Sequence, residues 1–276
     1  MEPPDGVAGS DSPPGRRVCS IGRMGEALLA DVAAGVMRLT INRPGKRNAI
    51  DGAVLDGLEA GLQRARRDGD VRLVVLRGAG GWFSAGIDLP FAMEAGRAGM
   101  LPFMRRVGDV AVALHRLPVP TLSVVEGGAY GLACNLALAC DLTIAAYDAV
   151  LCEVFTKLNL SLDGGGAWLL PRLVGLKKAK ELAFFADPIP APEAERLGLV
   201  NCVVPAGEVD ARLEEWASRL AGGPATALSL TKAMLNDAYA LSFEQAIEEE
   251  SRAQTINSTA AGGRAALEGA IRKPSA

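Results

Sequence analysis

The stretch Glu126–Asp141, EGGAYGLACNLALACD, decides how this chain is read. An apolar run, Thr121–Val125, leads into Gly127, Gly128 and Gly131, and an apolar pattern then continues to Cys140. A short apolar run closed by glycines predicts a buried strand and a tight turn, and the run after it predicts a buried helix. The first N–H groups of a helix have no partner within it, so such a turn aims free donors at whatever sits above the helix start. Trp82–Asp88, WFSAGID, has a similar build: a predicted strand over Val71–Arg77, a loop of small residues, then Ile87 and Asp88. Two strand-end loops that each offer one backbone N–H can grip a single oxygen from both sides, as an oxyanion hole does. Taken singly, each loop reads first as a plain glycine turn, because a lone glycine motif carries little information.

Working outward, 276 residues suffice for one large domain or two small ones. Hydrophobic residues make up 49% and aromatics only 5%, which predicts an aliphatic, alanine-rich core. Charged residues make up 22%, the net charge is −3, and both signs are mixed along the chain, unlike a nucleic-acid binder. No apolar run reaches the roughly 18–20 residues of a membrane span. Residues 1–22 are rich in Pro, Gly, Ser and Asp, lack a signal pattern, and read as a disordered tail. Five scattered cysteines (Cys19, Cys134, Cys140, Cys152, Cys202) show no zinc spacing, which points to a reducing cytoplasm and no metal site. The one histidine, His115, ends a predicted helix before Pro118 and reads as a surface residue at a helix C-terminus.

In chain order, residues 27–33 and 36–42 read as strands joined at Gly35. Residues 43–48 form a basic, turn-rich loop, and Asp51 caps a helix to about Arg67 with Val54, Leu55, Leu58 and Leu62 on one face. Residues 91–106, rich in Gly and Met, predict a mobile segment ahead of a helix to Leu117. Residues 142–146 and 150–152 read as short strands. Helices are predicted over 166–174, 176–186, 191–197, 207–221, 224–237, 242–257 and 259–269. The recurring unit is strand, strand, helix. The division is a tail over 1–22, a β-rich core over 23–200 carrying the site, and a helical region over 201–276.

Five signposts in order carry a resemblance that spans Ala27 to Ala270. They are Asn42-Arg43-Pro44 through Lys46-Arg47-Asn48-Ala49-Ile50; Phe83–Asp88; Gly127–Asp141; Leu162–Gly166 with Leu170–Gly175; and Leu197–Asn201. Together they resemble the enoyl-CoA hydratase/isomerase, or crotonase, superfamily. The resemblance implies an α/β fold, a spiral of ββα units followed by a helical C-terminal trimerisation region. It further implies a homotrimer or a dimer of trimers acting in the cytoplasm on acyl-CoA thioesters of fatty acid metabolism. No cofactor is expected beyond the coenzyme A of the substrate, and no nucleic-acid or membrane partner. The glycine stretches lack the strand–GxGxxG–helix context of a dinucleotide site.

The resemblance places the oxyanion hole at the backbone N–H groups of Ile87 and Leu132. Hydratases of the family carry two glutamates that activate water, and here Asn135 and Phe155 stand in their places. Glu153 lies two residues before Phe155; it is a replacement base if the segment is strand-like, or else a surface or salt-bridged carboxylate. Asp163, in LSLDGGG, reads from its neighbours as a helix N-cap. The resemblance gives it a second role, because some isomerases and a dehalogenase branch use a carboxylate at this position. Beside Leu162, Trp168 and Phe155 its pKa is expected to rise. Asn135, Phe155 and Trp168 are the expected substrate pocket, with Phe91–Phe103 shaping the acyl end. The coenzyme A portion is expected along Arg43, Lys46, Arg47 and Ala49 and the backbone at Ala85 and Asp88. Lys46 and Arg47 suit its phosphates, or else form a solvated basic loop. The expected reaction moves a 3-enoyl-CoA double bond to the 2-position through an enolate, with Asp163 carrying the proton. The alternatives are an enoyl-CoA hydratase and a non-catalytic acyl-CoA-binding homologue.

Overall fold

The computed structural model describes residues 26–94 and 96–272; the tail read over residues 1–22 lies outside them. β1 (Leu28–Ala33) and β2 (Val36–Ile41) form an antiparallel hairpin that turns at Ala34 and Gly35, both at positive φ. Asp51 accepts the Val54 N–H at 3.1 Å and starts α1 (Gly52–Arg67), which buries Val54, Leu55, Leu58 and Leu62 as its period predicts. β3 (Leu73–Gly78) follows, parallel to β2 and buried except at Arg77.

The segment expected to be mobile is helical instead, as α2 (Leu89–Glu94) and α3 (Gly96–His115). Despite Gly96, Gly99, Gly108 and Pro102, α3 places Phe103, Val107, Val110, Ala111 and Leu114 on one inward face. Burying that face outweighs the poor helix propensity of the glycines. β4 (Thr121–Val125) is fully buried. It does not turn directly into a helix as read from the glycines: Gly128–Tyr130 forms a strand, β5, before α4 (Leu132–Ala139). The Trp82 ring lies on Gly127 and Gly128, where a Cβ would come within 2.5 and 2.7 Å of it. These two glycines therefore make room for an indole rather than display N–H groups.

β6 (Leu142–Ala146) and β7 (Val150–Cys152) match their predicted ranges. α5 (Gly166–Phe185) comprises two arms meeting at Gly175, where φ is 77° and ψ 157°, at the break the sequence predicts. β8 (Ile189–Pro190) and α6 (Ala191–Leu197) follow. β9 (Cys202–Val204) is a strand where only helices were expected, too short to carry a periodic signal. α7 (Val209–Ala221), α8 (Ala225–Asp237), α9 (Phe243–Thr259) and α10 (Ala261–Arg272) complete the described chain.

The main sheet runs β1-β2-β3-β4-β6-β9, parallel except for the first pair. A second sheet, β5-β7-β8, carries the strand ends around which the site is built. Strands buried on both faces explain the continuous apolar runs of β3 and β4. Among the described residues no helix is long and apolar enough to cross a membrane.

Candidate active site

The loop Ser84–Asp88 is fastened on two sides. Ser84 N–H donates to Gly128 O at 3.0 Å and Tyr130 N–H to Ser84 O at 3.1 Å, joining the loop to β5. Ile50 N–H donates to Gly86 O at 2.8 Å and Asp88 N–H to Ile50 O at 2.9 Å. Buried Asn48 donates to the Ala79 and Trp82 carbonyls and accepts from Arg43 N–H. Ser84 Oγ donates to Asn48 O at 2.7 Å and accepts Gly86 N–H at 3.1 Å. Asn48 and Ser84 were not singled out from the sequence, although both lie in its signposts. Gly86 has φ +89°, and a Cβ there would lie 2.5 Å from Tyr130 O. A larger residue would force the loop off the start of α4.

Two donors remain. Among the described residues no acceptor is found for the N–H of Ile87 or of Leu132, the first residue of α4. They border one space, since the Cβ position of Gly86 lies 3.7 Å from Leu132 N. The Leu132 side chain is buried and packs under Gly164, so it stays out of that space. Phe155 is buried beside Gly131, 3.6 Å from that glycine's Cβ position.

Asp163 lies in the turn ahead of α5. The N-cap of that helix is Gly165, with no side-chain cap bond, so Asp163 does not serve as its cap. Instead Asp163 Oδ1 is buried without a hydrogen-bond partner. Asn135, fully buried on α4, donates from Nδ2 to Asp163 O at 2.9 Å and to Glu153 Oε2 at 3.3 Å. A Cβ on Gly166 would sit 2.6 Å from that amide, which is why α5 begins on glycine. Glu153 is 0% exposed, and among the described residues it makes no ion pair; the surface or salt-bridged reading is corrected. The segment leaves β7 as a 3-10 turn over Val154–Leu158, which swings Glu153 inward, and no sequence period signals it.

Burial pushes Glu153 up to about 7, with the Asp163 charge adding to it against hydrogen bonds from Cys134 and Asn135. Burial likewise pushes Asp163 up to about 7. Trp168 is 41% exposed and packs edge-to-face on His115, with Arg172 stacked 3.8 Å over its ring. A cleft of about 320 Å³ there is lined by Ala111, Val112, His115, Gly164, Gly165 and Trp168. His115 is therefore half-buried rather than a surface residue, and burial, with Lys232 nearby, holds its pKa below the usual value.

The basic loop is only partly free. Arg43 pairs with Asp51 and Asp88 at 3.0 Å each and donates to Ala49 O. Lys46 reaches Asp88 at 3.3 Å but stays 61% exposed, and the Arg47 guanidinium lies 5.1 Å from the Trp82 ring centroid. Ala85 N–H is taken by Arg47 O and Ala49 N–H by Lys46 O.

Comparison with known proteins follows the same lines. The enoyl-CoA hydratase/isomerase family model matches residues 31–268. This chain belongs to that family. A Rhodobacter capsulatus relative, named a probable enoyl-CoA hydratase, is 37% identical over 73% of this family member and 78% of its own length. The 1,2-epoxyphenylacetyl-CoA isomerase of Escherichia coli is 33% identical over 82% of this chain and 88% of its own. The crystal structure of an enoyl-CoA hydratase from Mycobacterium smegmatis superposes with a TM-score of 0.85 at 31% identity, covering 90% of this chain and 98% of the other. The crotonase fold expected from the sequence is thus the fold of this hydratase/isomerase family member.

Proposed function

We propose that this family member isomerises an unsaturated acyl-CoA, moving a 3-enoyl double bond to the 2-position, with Asp163 as the proton shuttle. The observation that carries this reading is a buried, unpartnered Asp163 carboxyl oxygen, free of a cap bond, in the turn whose Gly164 packs on Leu132, the residue that offers one of the two unpaired donors; burial raises that carboxyl to about 7. The N–H groups of Ile87 and Leu132 hold the thioester oxygen, each such donor being worth about 3–4 kcal/mol as charge develops on it. Asp163 takes a proton from C2, and the C–H electron pair moves into an enolate whose charge rests on that oxygen. Asp163 then returns the proton to C4, and the double bond settles between C2 and C3. No water is activated, so Asn135 and Phe155 at the hydratase glutamate positions are no obstacle. The acyl chain takes the cleft between α3 and the Gly164–Gly165 turn, while Lys46 and Arg47 face the phosphates of coenzyme A.

The Escherichia coli relative is named an isomerase of an epoxidised acyl-CoA, so it shares with this reading the class of reaction and not the substrate. A hydratase reading is favoured by the name of the Rhodobacter capsulatus relative; it assigns the acid to Glu153 and predicts a 3-hydroxyacyl-CoA product. Assembly as a homotrimer or a dimer of trimers belongs to the proposal, supported by the apolar faces of α8 and α9, where Leu235, Phe243, Ile247 and Ile256 are exposed. So does a cytoplasmic location.

The test is a product assay. Purified protein and Asp163→Asn are each incubated with a 3-enoyl-CoA and with a 2-enoyl-CoA, and products are separated by mass and retention. An isomerised product that depends on Asp163 is expected. Equal turnover by Asp163→Asn overturns the proton shuttle, and a hydrated product lost in Glu153→Gln replaces it with the hydratase reading. Binding of both esters without turnover leaves the acyl-CoA-binding homologue.

A further inference from the structure

The proton shuttle uses Asp163 and leaves Glu153 without a task. Glu153 has no exposed surface, so it does not reach a substrate carbon. Cys134 and Asn135 face it from α4, Asp163 from the turn before α5, and Cys152 lies beside it at the end of β7. No cation pairs with it among the described residues. A carboxylate taken out of water without a cation costs several kcal/mol, and the group keeps its proton instead.

The hydrogen bonding makes the same demand. Asn135 Oδ1, Glu153 Oε1 and Asp163 Oδ1 are all buried without a partner. All three are acceptors while both acids are ionised, and a proton on one carboxyl turns one of them into a donor. The Asn135 amide ties the acids together, with one Nδ2 on Glu153 Oε2 and on the Asp163 carbonyl. Asp163 is the more exposed of the two, so its charge is the better solvated.

We propose that Glu153 is a positioning residue: it and Asp163 hold one proton between them, on Glu153 in the resting enzyme, leaving Asp163 as the ionised member that meets the substrate. The inference rests on the proton-shuttle reading. When Asp163 accepts the substrate proton, the negative charge passes to the enolate oxygen and Glu153 stays neutral throughout. A second carboxylate at Glu153 would set another negative charge behind the enolate and hold the proton on Asp163 too tightly for its return.

Such a pair loses its protons in two steps. The first loss, from Asp163, creates the active form, and the second, from Glu153, ends it. The pH profile of kcat/KM for isomerisation is therefore expected to be a bell. Glu153→Gln keeps the side-chain shape and an acceptor for Asn135. It should leave the acid limb in place and remove the alkaline limb. A Glu153 with only a structural role predicts the same bell in both proteins, and that result overturns the proposal.

A second measurement needs no turnover. The carboxyl carbons of 13C-glutamate-labelled protein are titrated by NMR, and the Glu153 signal is identified by its absence in Glu153→Gln. Glu153 should still be protonated at pH 6, and its midpoint should fall by about one pH unit in Asp163→Asn. A midpoint at the ordinary carboxylate value, or one unmoved by Asp163→Asn, overturns the pair. Coupling in the titration without an Asp163-dependent product supports the pair and overturns the isomerase reading instead.

Discussion

Asp88, 6% exposed, lies between Arg43 at 3.0 Å and Lys46 at 3.3 Å, whereas Glu153, more deeply buried just after β7, has no cation within reach among the described residues. Burial pushes both acids toward the neutral form. At Asp88 the hydrogen bonds from Arg43 and Lys46 overcome it and hold the carboxyl below its usual value. At Glu153 nothing overcomes it, and the group sits near 7 with Asp163 beside it. A paired acid has a fixed charge and serves as a joint: Asp88 ties the basic loop to the loop that presents Ile87. An unpaired acid near neutrality keeps its proton, which leaves the charge of the pair to Asp163, the group that meets the thioester.

The sharpest break between the two regions is in catalysis. Asp163→Asn keeps the shape of the turn and removes the exchangeable proton. Isomerisation should fall about 10²–10⁴-fold in kcat, the usual weight of a general acid–base. Its thermal midpoint at neutral pH should not fall, because the lost group was an acid held out of water. A fall in stability with turnover intact would make Asp163 a joint like Asp88.

The converse change is at Arg43. Arg43→Ala leaves Asp51 and Asp88 without their shared partner, with Lys46 alone on Asp88. Removing one member of a buried pair is strongly destabilising, and about 3 kcal/mol is expected in denaturant unfolding. A loss below about 1 kcal/mol would show that Lys46 suffices, and would free Arg43 for the phosphates of coenzyme A.

Much of this was legible in the residues. β4, β6, β7 and the break at Gly175 follow from apolar runs and glycines, which are local signals. Only the second half of α3 was legible, because the glycines of its first half argue against a helix and only the core face it covers argues for one. β9 was hidden by its length of three residues. At the site, Asp163, Asn135 and the two donors could be placed by motif. The depth of Glu153 could not, since it depends on a 3-10 turn and on α4 and α5 closing over it. The ion pairs of Arg43, expected only along the coenzyme A, were hidden because its two partners, Asp51 and Asp88, come from separate loops that only the fold brings together.

The smallest effect is the pH dependence of stability, and there the two regions pull in opposite directions. Glu153 and Asp163 rise in the folded protein to about 7 from ordinary values of 4.5 and 3.8. Between those values the folded chain binds more protons than the unfolded one, so their contribution is fully present at low pH and is lost as pH rises through 7. Asp88 is held below its ordinary value, so its contribution is present above that value and is lost as pH falls through the folded one. Thermal midpoints of the wild type, Asp163→Asn and Glu153→Gln measured from pH 5 to pH 8 separate the two. Each variant should gain on the wild type as pH rises, by on the order of a few degrees at pH 8, because it no longer has a buried carboxyl to ionise. Asp88→Asn should show no such gain over this range, since Asp88 is ionised in both states. A difference that stays flat with pH for Glu153→Gln would mean that Glu153 is already charged at pH 5. The contrast between a paired and an unpaired acid would then fail at its unpaired end.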